Sequence, residues 1–286
     1  MSTYTHLITA DQLQRLQAGG AALAIFDCSF DLADPLKADA MFAAQHIAGA
    51  AQAHLERDLS APSPAQAVNG GRHPLPQRAH FAAWLGRTGF ANGVQAVVYD
   101  RNGCNYCGRL WWLLKWLGHD AVAVLDGGLQ AWLAAGGATE SGPARNAPAA
   151  AFKPGAQLRR LLCIDEVAAQ LGRPAQTLVD ARGSPRYRGE VEPLDPMAGH
   201  IPGALNRPFT DNFGPDGRFK PAAQLRAEFD RLLAGRDPAS VVHYCGSGVS
   251  AVPNLIAMEL AGFAPTALYG GSWSEWSRTP GLGIER

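Results

Sequence analysis

The chain has 286 residues, enough for two medium-sized domains or one large one. Its 47% hydrophobic content can fill sizeable cores, and its 25 basic and 25 acidic residues cancel, which argues against nucleic-acid or membrane partners. Five cysteines, an odd number, argue against a disulfide framework, and residues 1–11 are polar with no apolar signal core. We therefore expect a cytoplasmic protein without a membrane span.

Four segments of the first half recur, in the same order, in the second half. The paired segments are separated by 153, 154, 145 and 144 positions. Four matches in one order predict that a whole domain is duplicated. The pairs are residues 23–27 with 177–180, 46–50 with 200–204, 96–100 with 241–245, and 126–132 with 270–276.

Within each half, short β-branched runs alternate with helical patterns. Such alternation predicts an α/β fold, in which helices flank both faces of a parallel sheet. In chain order, the elements predicted for the second half are a helix beginning at 164–167, a strand at 177–180, a helix at 222–233, a strand at 240–244, a helix at 249–260, a strand at 266–269 and a helix near Ser274.

The predicted boundaries follow from the repeat and from composition. Residues 138–157 are rich in Ala, Pro and Gly with little periodicity, which is typical of a linker. The prediction is an N-terminal domain over 1–137, this linker, and a C-terminal domain over 158–286.

The candidate nucleophile is Cys245, between a predicted strand and a predicted helix. Unpaired N–H groups and the helix dipole at such a junction stabilise a thiolate, the reactive form of cysteine. Gly246 and Gly248 let successive amides point at one sulfur or at a neighbouring anion. A buried, inert cysteine is the alternative interpretation, but the glycines and small hydroxyls around Cys245 favour a reactive one.

These motifs together resemble the two-domain rhodanese, or sulfurtransferase, family. The resemblance implies tandem rhodanese-like domains and a two-step sulfur transfer through a Cys245 persulfide, with no metal or cofactor. Asp100 stands where Cys245 stands in the repeat, and an aspartate cannot carry a persulfide, so the N-terminal copy is expected to be catalytically degenerate. The matching motifs are Asp180-Ala181-Arg182, Gly199-His200-Ile201-Pro202-Gly203-Ala204, the Cys245 loop, and Gly271-Ser272-Trp273-Ser274-Glu275-Trp276.

The charge of the cysteine loop favours 3-mercaptopyruvate as the small-molecule sulfur donor. Family loops with basic residues after the cysteine resemble thiosulfate enzymes, whereas a neutral Cys-Gly-Ser-Gly-Val-Thr loop resembles mercaptopyruvate enzymes. This chain has the neutral loop, with serine in the last place, and thiosulfate stays the alternative donor. The acceptor is expected to be cyanide in an assay, or a thiol such as thioredoxin. Cys245 and Ser247 are the candidate catalytic residues. Ser247 would hydrogen-bond an oxygen of the donor or polarise the leaving group, and a turn residue that caps the following helix is the alternative interpretation. The residues expected to line the donor site are Gly246, Gly248, Val249 and Ser250.

Three further side chains are candidates for donor binding. Arg186 matches an arginine that binds the donor carboxylate in the family, and guanidinium groups pair carboxylates in a bidentate manner. Mercaptopyruvate members carry a second arginine after a Glu-Pro, where this chain has Leu194. Either Arg188 replaces it, or carboxylate recognition is weaker and the donor differs. His73 matches a family histidine that faces the active site, where it would orient Ser247 or relay a proton. The alternative is an ordinary loop histidine in a proline-containing segment.

Individual residues of the sequence argue against three other functions. A cysteine phosphatase needs Cys-x5-Arg, but Ala251 stands where that arginine would be. A non-catalytic sulfur-carrier or binding module is disfavoured by the intact Cys245 loop. Cys104 and Cys107 have the spacing of a redox pair or half a zinc site, but no second pair follows, so we predict ordinary thiols and no metal. Cys28 and Cys163 are predicted to be packing residues.

Overall fold

A computed structural model describes residues 3–144 and 148–286, and the chain divides into two compact units. The first unit contains the chain up to Gln66, then Pro76–Leu158 and Pro215–Arg218. The second unit contains Ala67–Leu75, Arg159–Gly214 and Phe219–Arg286. Part of the predicted linker, 145–147, lies outside the described residues.

The first unit is built on a five-stranded parallel sheet. The strands of this unit are β1 (Leu7–Ile8), β2 (Leu23–Asp27), β3 (His46–Ile47), β4 (Ala51–Gln52), β5 (Gln95–Tyr99), β6 (Val122–Leu125) and β7 (Thr139–Glu140). The sheet has the order β4-β2-β5-β6-β1, and β3 pairs separately with β7 in antiparallel fashion. Its helices are α1 (Ala10–Ala18), α2 (Lys37–Ala44), α3 (Arg78–Arg87), α4 (Cys107–Trp116) and α5 (Gly128–Ala134), with a 3-10 turn at Pro64–Gln66.

The second unit repeats this architecture. Its strands are β8 (Arg160–Leu162), β9 (Thr177–Asp180), β10 (Leu205–Asn206), β11 (Val241–Tyr244) and β12 (Ala267–Tyr269). They form a parallel sheet of order β10-β9-β11-β12-β8, the same pattern as in the first unit. Its helices are α6 (Ile164–Ala169), α7 (Ser184–Tyr187), α8 (Ala222–Leu233), α9 (Val252–Leu260) and α10 (Ser272–Trp276), with 3-10 turns at Phe209–Asn212 and Pro238–Ser240.

Matching contacts support the predicted duplication. The hydroxyl of Tyr99, at the end of β5, accepts a hydrogen bond from the Ile47 amide at 2.9 Å. The hydroxyl of Tyr244, at the end of β11, accepts one from the Ile201 amide at 3.2 Å. Both tyrosines are fully buried. Each central strand is therefore fastened to the histidine-containing segment of its own unit in the same way.

Apolar side chains cover both faces of the second sheet. One cluster contains Leu178, Val242, Tyr244, Trp273 and Trp276, and the other forms where α8 and α9 pack on β11. These paired cores follow from the alternation of strands and helices, since a parallel sheet buries both faces. Among the described residues, no helix is both long and apolar enough to cross a membrane.

Two predictions need correction. The helix expected over 249–260 begins at Val252, because Gly248 has a left-handed backbone (φ +73°) and residues 249–251 continue the loop rather than the helix. Cys163, predicted to be a packing residue, is exposed. It precedes α6 at the N-cap position, where the Glu166 carboxylate accepts its backbone N–H at 2.8 Å.

Candidate active site

Cys245 follows β11, the central strand of the second sheet, at its carboxyl end. In parallel sheets this end carries the ligand-binding crevice. The cysteine is 1% exposed. Its backbone N–H donates to the Ser272 hydroxyl at 3.1 Å, and its carbonyl accepts the Trp273 amide at 2.9 Å. The start of α10 therefore fixes the backbone from which the thiol projects.

Gly248 gives the loop after Cys245 its tight curvature. Its φ of +73° is a conformation that side chains rarely adopt. A methyl carbon added to it would lie 2.3 Å from the Gly270 carbonyl oxygen. The loop thus lies directly against the strand-to-helix turn that precedes α10, and only glycine fits at this position.

The equivalent loop in the first unit holds a carboxylate. Asp100 is 1% exposed, and one of its oxygens accepts the amides of Asn102 and Cys104 at 2.9 and 3.0 Å. Its other oxygen accepts the amides of Tyr106 and Cys107 at 2.8 and 2.9 Å. Four converging N–H groups make this loop a binding site for an anion.

Ser247 and His73 lie together in the second unit. The Ser247 hydroxyl and His73 Nδ1 are 2.8 Å apart, and both residues are buried. His73 reaches this unit because Ala67–Leu75, although early in the sequence, clusters with the C-terminal half. The hydrogen bond fixes the serine hydroxyl two residues after the cysteine.

Arg186 lies in a network of charged side chains beside the cysteine loop. Its guanidinium pairs with Glu192 at 2.7 Å and with Asp195 at 3.5 Å. Glu192 also pairs with Arg182 at 3.2 Å, and Arg182 in turn pairs with Asp180 at 2.6 Å and lies over the ring of Trp273. Arg186 is therefore held in place by carboxylates.

A second arginine, Arg72 rather than Arg188, lies beside the cysteine loop. The guanidinium of Arg188 is 53% exposed and pairs with Glu190 on the surface. Arg72, which sequence reasoning passed over in favour of its neighbour His73, pairs with Asp195 at 2.9 Å. The available sequence signal was its adjacency to His73, which already predicted that this segment reaches the active site.

The remaining donor-site candidates, Gly246, Val249 and Ser250, all lie in the loop between β11 and α9. Gly246 borders the guanidinium groups of Arg72 and Arg186. Val249 is buried and Ser250 is partly buried in the turn before α9. The structure thus brings Cys245, Gly246, Ser247, Gly248, Val249, Ser250, Arg186 and His73 into one loop region, whereas Arg188 pairs elsewhere.

The thiols of the first unit differ in character from a reactive cysteine. Cys28, Cys104 and Cys107 are buried free thiols. Burial raises the pKa of each thiol, and the negative charge of Asp100 raises it further. Both effects disfavour the thiolate. Within the described parts of the chain, no group of three or more His, Cys, Asp or Glu residues could hold a metal ion.

Known proteins resemble the chain along nearly its whole length. A family of rhodanese-like domains matches it twice, over residues 9–135 and 164–279. It is 48% identical to a probable 3-mercaptopyruvate sulfurtransferase from Pseudomonas aeruginosa, covering 96% of this chain and 95% of that one. It is 38% identical to a putative thiosulfate sulfurtransferase from Mycobacterium tuberculosis, covering 96% and 94%. The solved 3-mercaptopyruvate sulfurtransferase from Leishmania major superimposes with a TM-score of 0.80 at 31% identity, covering 96% of this chain and 74% of that one.

The fold and site define a tandem α/β protein in which one copy of a loop carries a cysteine and the other an aspartate. The chain belongs to the rhodanese family. This confirms the predicted resemblance and the predicted fold class, and its relatives are named as sulfurtransferases. Their names refer to two donors, mercaptopyruvate and thiosulfate.

Proposed function

We propose that the chain is a sulfurtransferase that moves sulfur from 3-mercaptopyruvate, through a persulfide on Cys245, to a thiol or cyanide. The observation that carries the proposal is the Asp100 loop. Residues 100–106 separate β5 from α4, and residues 245–251 separate β11 from α9, so the two loops have the same length. The positions equivalent to the Asn102, Cys104 and Tyr106 amides, three of the four that hold Asp100, are Ser247, Val249 and Ala251. The fourth, Val252, donates its amide to the Val249 carbonyl at 3.2 Å. An anion on Cys245 would meet that cradle.

The first half-reaction forms the persulfide. The Cys245 thiolate attacks the donor's sulfur, the carbon–sulfur bond breaks, and its electron pair leaves as the enolate of pyruvate. The donor's thiol proton then passes to the enolate, which gives pyruvate and an anionic persulfide. Loop amides stabilise the terminal sulfur as its charge develops, as an oxyanion hole does for oxygen.

Ser247 and His73 act on the leaving group. Negative charge develops on the donor's keto oxygen as the carbon–sulfur bond breaks, and the Ser247 hydroxyl is the group that donates to it. His73, 2.8 Å from that hydroxyl, orients it for donation. Neither residue needs to be charged for this role.

The charges around the Cys245 loop favour 3-mercaptopyruvate as the sulfur donor. The residues from Gly246 to Ser250 are uncharged, and Arg186 supplies a guanidinium for the donor carboxylate. In the second half-reaction a thiol attacks the outer sulfur, carries it away, and regenerates the Cys245 thiolate. We propose a small thiol or thioredoxin as the acceptor. Five free cysteines favour a reducing compartment such as the cytoplasm.

The division of labour follows the repeat. We assign the persulfide chemistry to the C-terminal copy, 158–286, and a scaffold role to the N-terminal copy, 1–137, apart from its segment Ala67–Leu75, with 138–157 as the linker. Because Asp100 already fills the cradle of the first copy, that loop holds no position for a transferred sulfur.

Mass spectrometry tests the persulfide directly. Incubation with 3-mercaptopyruvate without an acceptor should add one sulfur, about 32 Da, to the peptide that carries Cys245. Cys245→Ser should gain nothing, and Cys163→Ser, which removes an exposed thiol, should gain the full mass. A sulfur adduct that survives in Cys245→Ser, or no adduct on the unaltered protein, would refute the proposal, and the latter would favour a non-catalytic binding module.

The choice of donor is tested by kinetics. We expect kcat/KM for 3-mercaptopyruvate to exceed that for thiosulfate by about a hundredfold or more with cyanide as the common acceptor. Thiosulfate is the second candidate, because the guanidinium groups near Gly246 attract any anionic donor and one relative is named as a thiosulfate sulfurtransferase. A higher kcat/KM for thiosulfate would establish it instead.

A further inference from the structure

Two guanidinium groups meet at the residue that follows the cysteine. A methyl carbon placed on Gly246 would lie 3.1 Å from Arg72 Nη2 and 3.5 Å from Arg186 Nη1. Arg72 comes from the segment Ala67–Leu75, and Arg186 from α7. A donor bound at Cys245 would therefore be bordered by two cations that arrive from different parts of the chain.

Arg72 is placed by built contacts rather than by a flexible loop. Its backbone N–H donates to the Ser274 hydroxyl at 2.9 Å, and the Gly70 N–H donates to the Glu275 carboxylate at 2.7 Å. Gly71 has a φ of +93°, and a methyl carbon on it would lie 2.6 Å from the Gly271 carbonyl oxygen. The segment is thus fastened to α10, the same helix that fixes the backbone of Cys245.

Asp195 ties the arginines together. Its fully buried carboxylate contacts Arg72 at 2.9 Å, Arg186 at 3.5 Å and Arg278 at 3.5 Å. The connected network contains four guanidinium groups and three carboxylates, which leaves one net positive charge. Its members are Arg72, Arg182, Arg186, Arg278, Asp180, Glu192 and Asp195.

We propose that Arg72 is the second donor-binding arginine, paired with Arg186, and that Asp195 limits the site's positive charge so that it prefers a donor with one carboxylate over a dianion. The inference rests on the proposed sulfur transfer. It also accounts for Leu194, which stands where a second arginine was expected, because Arg72 supplies the positive charge that this segment lacks. One net positive charge matches one carboxylate, whereas a dianion such as thiosulfate would keep one charge uncompensated.

The first experiment separates binding from chemistry. Arg72→Gln should raise KM for 3-mercaptopyruvate by about tenfold or more and change kcat by less than about threefold, because a ground-state contact to the carboxylate is lost. Arg72→Lys keeps the positive charge beside Asp195 but not the planar guanidinium, so its KM should lie between those of the unaltered protein and Arg72→Gln. Arg226→Gln, which removes an exposed arginine paired with Asp230, is the matched control and should match the unaltered protein.

Competing outcomes are distinguishable. An unchanged KM in both Arg72 variants, or a raised KM in Arg188→Gln instead, would overturn the assignment. A fall in kcat at constant KM would also overturn it. If Arg72→Gln does not fold, as judged by its thermal midpoint, Arg72→Lys decides the matter. The proposed function fails separately, when the unaltered protein forms no Cys245 persulfide.

The second experiment tests Asp195. Asp195→Asn adds one net positive charge to the network while keeping the size of the side chain. The ratio of kcat/KM for thiosulfate to that for 3-mercaptopyruvate should rise by about tenfold. A loss of fold alone would lower both values together and leave the ratio constant. A constant or falling ratio would therefore refute the charge-limiting role of Asp195.

Discussion

Gly248 carries two separate constraints, and they can be measured apart. Gly248→Ala should lower kcat/KM by about a hundredfold or more, because its methyl group would lie 2.3 Å from the Gly270 carbonyl oxygen and displace the cysteine loop. Gly203→Ala is the control. Its φ is also +73°, but nothing lies within 4 Å of the added carbon. It should lose about 1–2 kcal/mol of unfolding free energy from backbone strain and keep its activity.

The comparison uses urea unfolding and steady-state rates for both alanine variants. If both lose the same activity, strain at a left-handed residue rather than contact with Gly270 explains the effect. If neither loses activity, the loop does not need its tight curvature for sulfur transfer.

At the scale of residues, the sequence predicted the neighbours of the cysteine loop better than the charged groups around it. Cys245, Ser247 and His73 could be singled out because glycine and small polar neighbours signal a strand-to-helix turn. Arg72 could not, because its position is set by a contact with Asp195, 123 residues away, which no local pattern records. Arg188 was a reasonable candidate by proximity to Arg186, but its side chain points to Glu190.

At the scale of elements, the Asp100 loop is a strand-to-helix turn in which four amides donate to one buried carboxylate. Asp100→Asn should lower the free energy of unfolding by roughly 1–3 kcal/mol, because an amide offers one acceptor oxygen to four N–H donors and carries no charge. Asp39→Asn is the control, since its exposed ion pair with Arg57 contributes about 0–1 kcal/mol. Denaturant unfolding measures both. Equal losses in the two variants would mean that the amides do not stabilise the carboxylate.

The strand β11 contributes an acid-sensitive core residue, His243. Burial, with Arg207 nearby, lowers the pKa of its imidazole to about 3, and its Nε2 lies 3.2 Å from the sulfur of Met258. As the pH falls below about 6.5, the His243 imidazole therefore binds a proton in the unfolded chain but stays neutral in the folded chain. This contribution to stability is complete above pH 6.5 and decreases as the pH falls towards 3.

The expected result is a change of slope. Between pH 7 and pH 5, the unfolding free energy should fall by about 2 kcal/mol less in His243→Leu than in the unaltered protein. Gln17→Leu, which removes an exposed side chain that carries no titratable group, should keep the full pH dependence. Urea unfolding at several pH values measures the slopes, and parallel slopes for the unaltered protein and His243→Leu would contradict a neutral buried imidazole.

Elements were predicted well where apolar periodicity was uninterrupted. The helix Ala222–Leu233 and the strand Thr177–Asp180 match their predicted bounds, because each is an uninterrupted run with one buried face or a fully buried length. The helix after Cys245 begins three residues later than predicted. There the apolar character of Val249 and Ala251 reflects burial in the loop rather than helical structure.

At the scale of the whole molecule, the repeat predicted two α/β copies but not how the chain is shared between them. Internal similarity divides the sequence into consecutive halves, whereas the second compact unit also contains Ala67–Leu75. The backbone of this segment bonds to side chains of Ser274 and Glu275, more than 200 positions away. Duplication therefore explains the two sheets, and the clustering of Ala67–Leu75 with the second unit explains how side chains of the first half come to lie beside the Cys245 loop.

A truncated chain of residues 157–286 isolates the contribution of that segment. It should fold, because its five-stranded sheet and both apolar clusters come from the second half. Because it lacks Arg72, its KM for 3-mercaptopyruvate should rise about tenfold or more. Because it lacks the His73 side chain that hydrogen-bonds Ser247, its kcat should fall. At millimolar concentration, a synthetic peptide of residues 67–75 should raise the kcat and lower the KM of the truncated chain part of the way to the values of the full chain. The same peptide carrying Arg72→Gln should raise kcat but lower KM less. Circular dichroism checks folding first. A truncated chain as active as the full one would show that the C-terminal half is sufficient by itself.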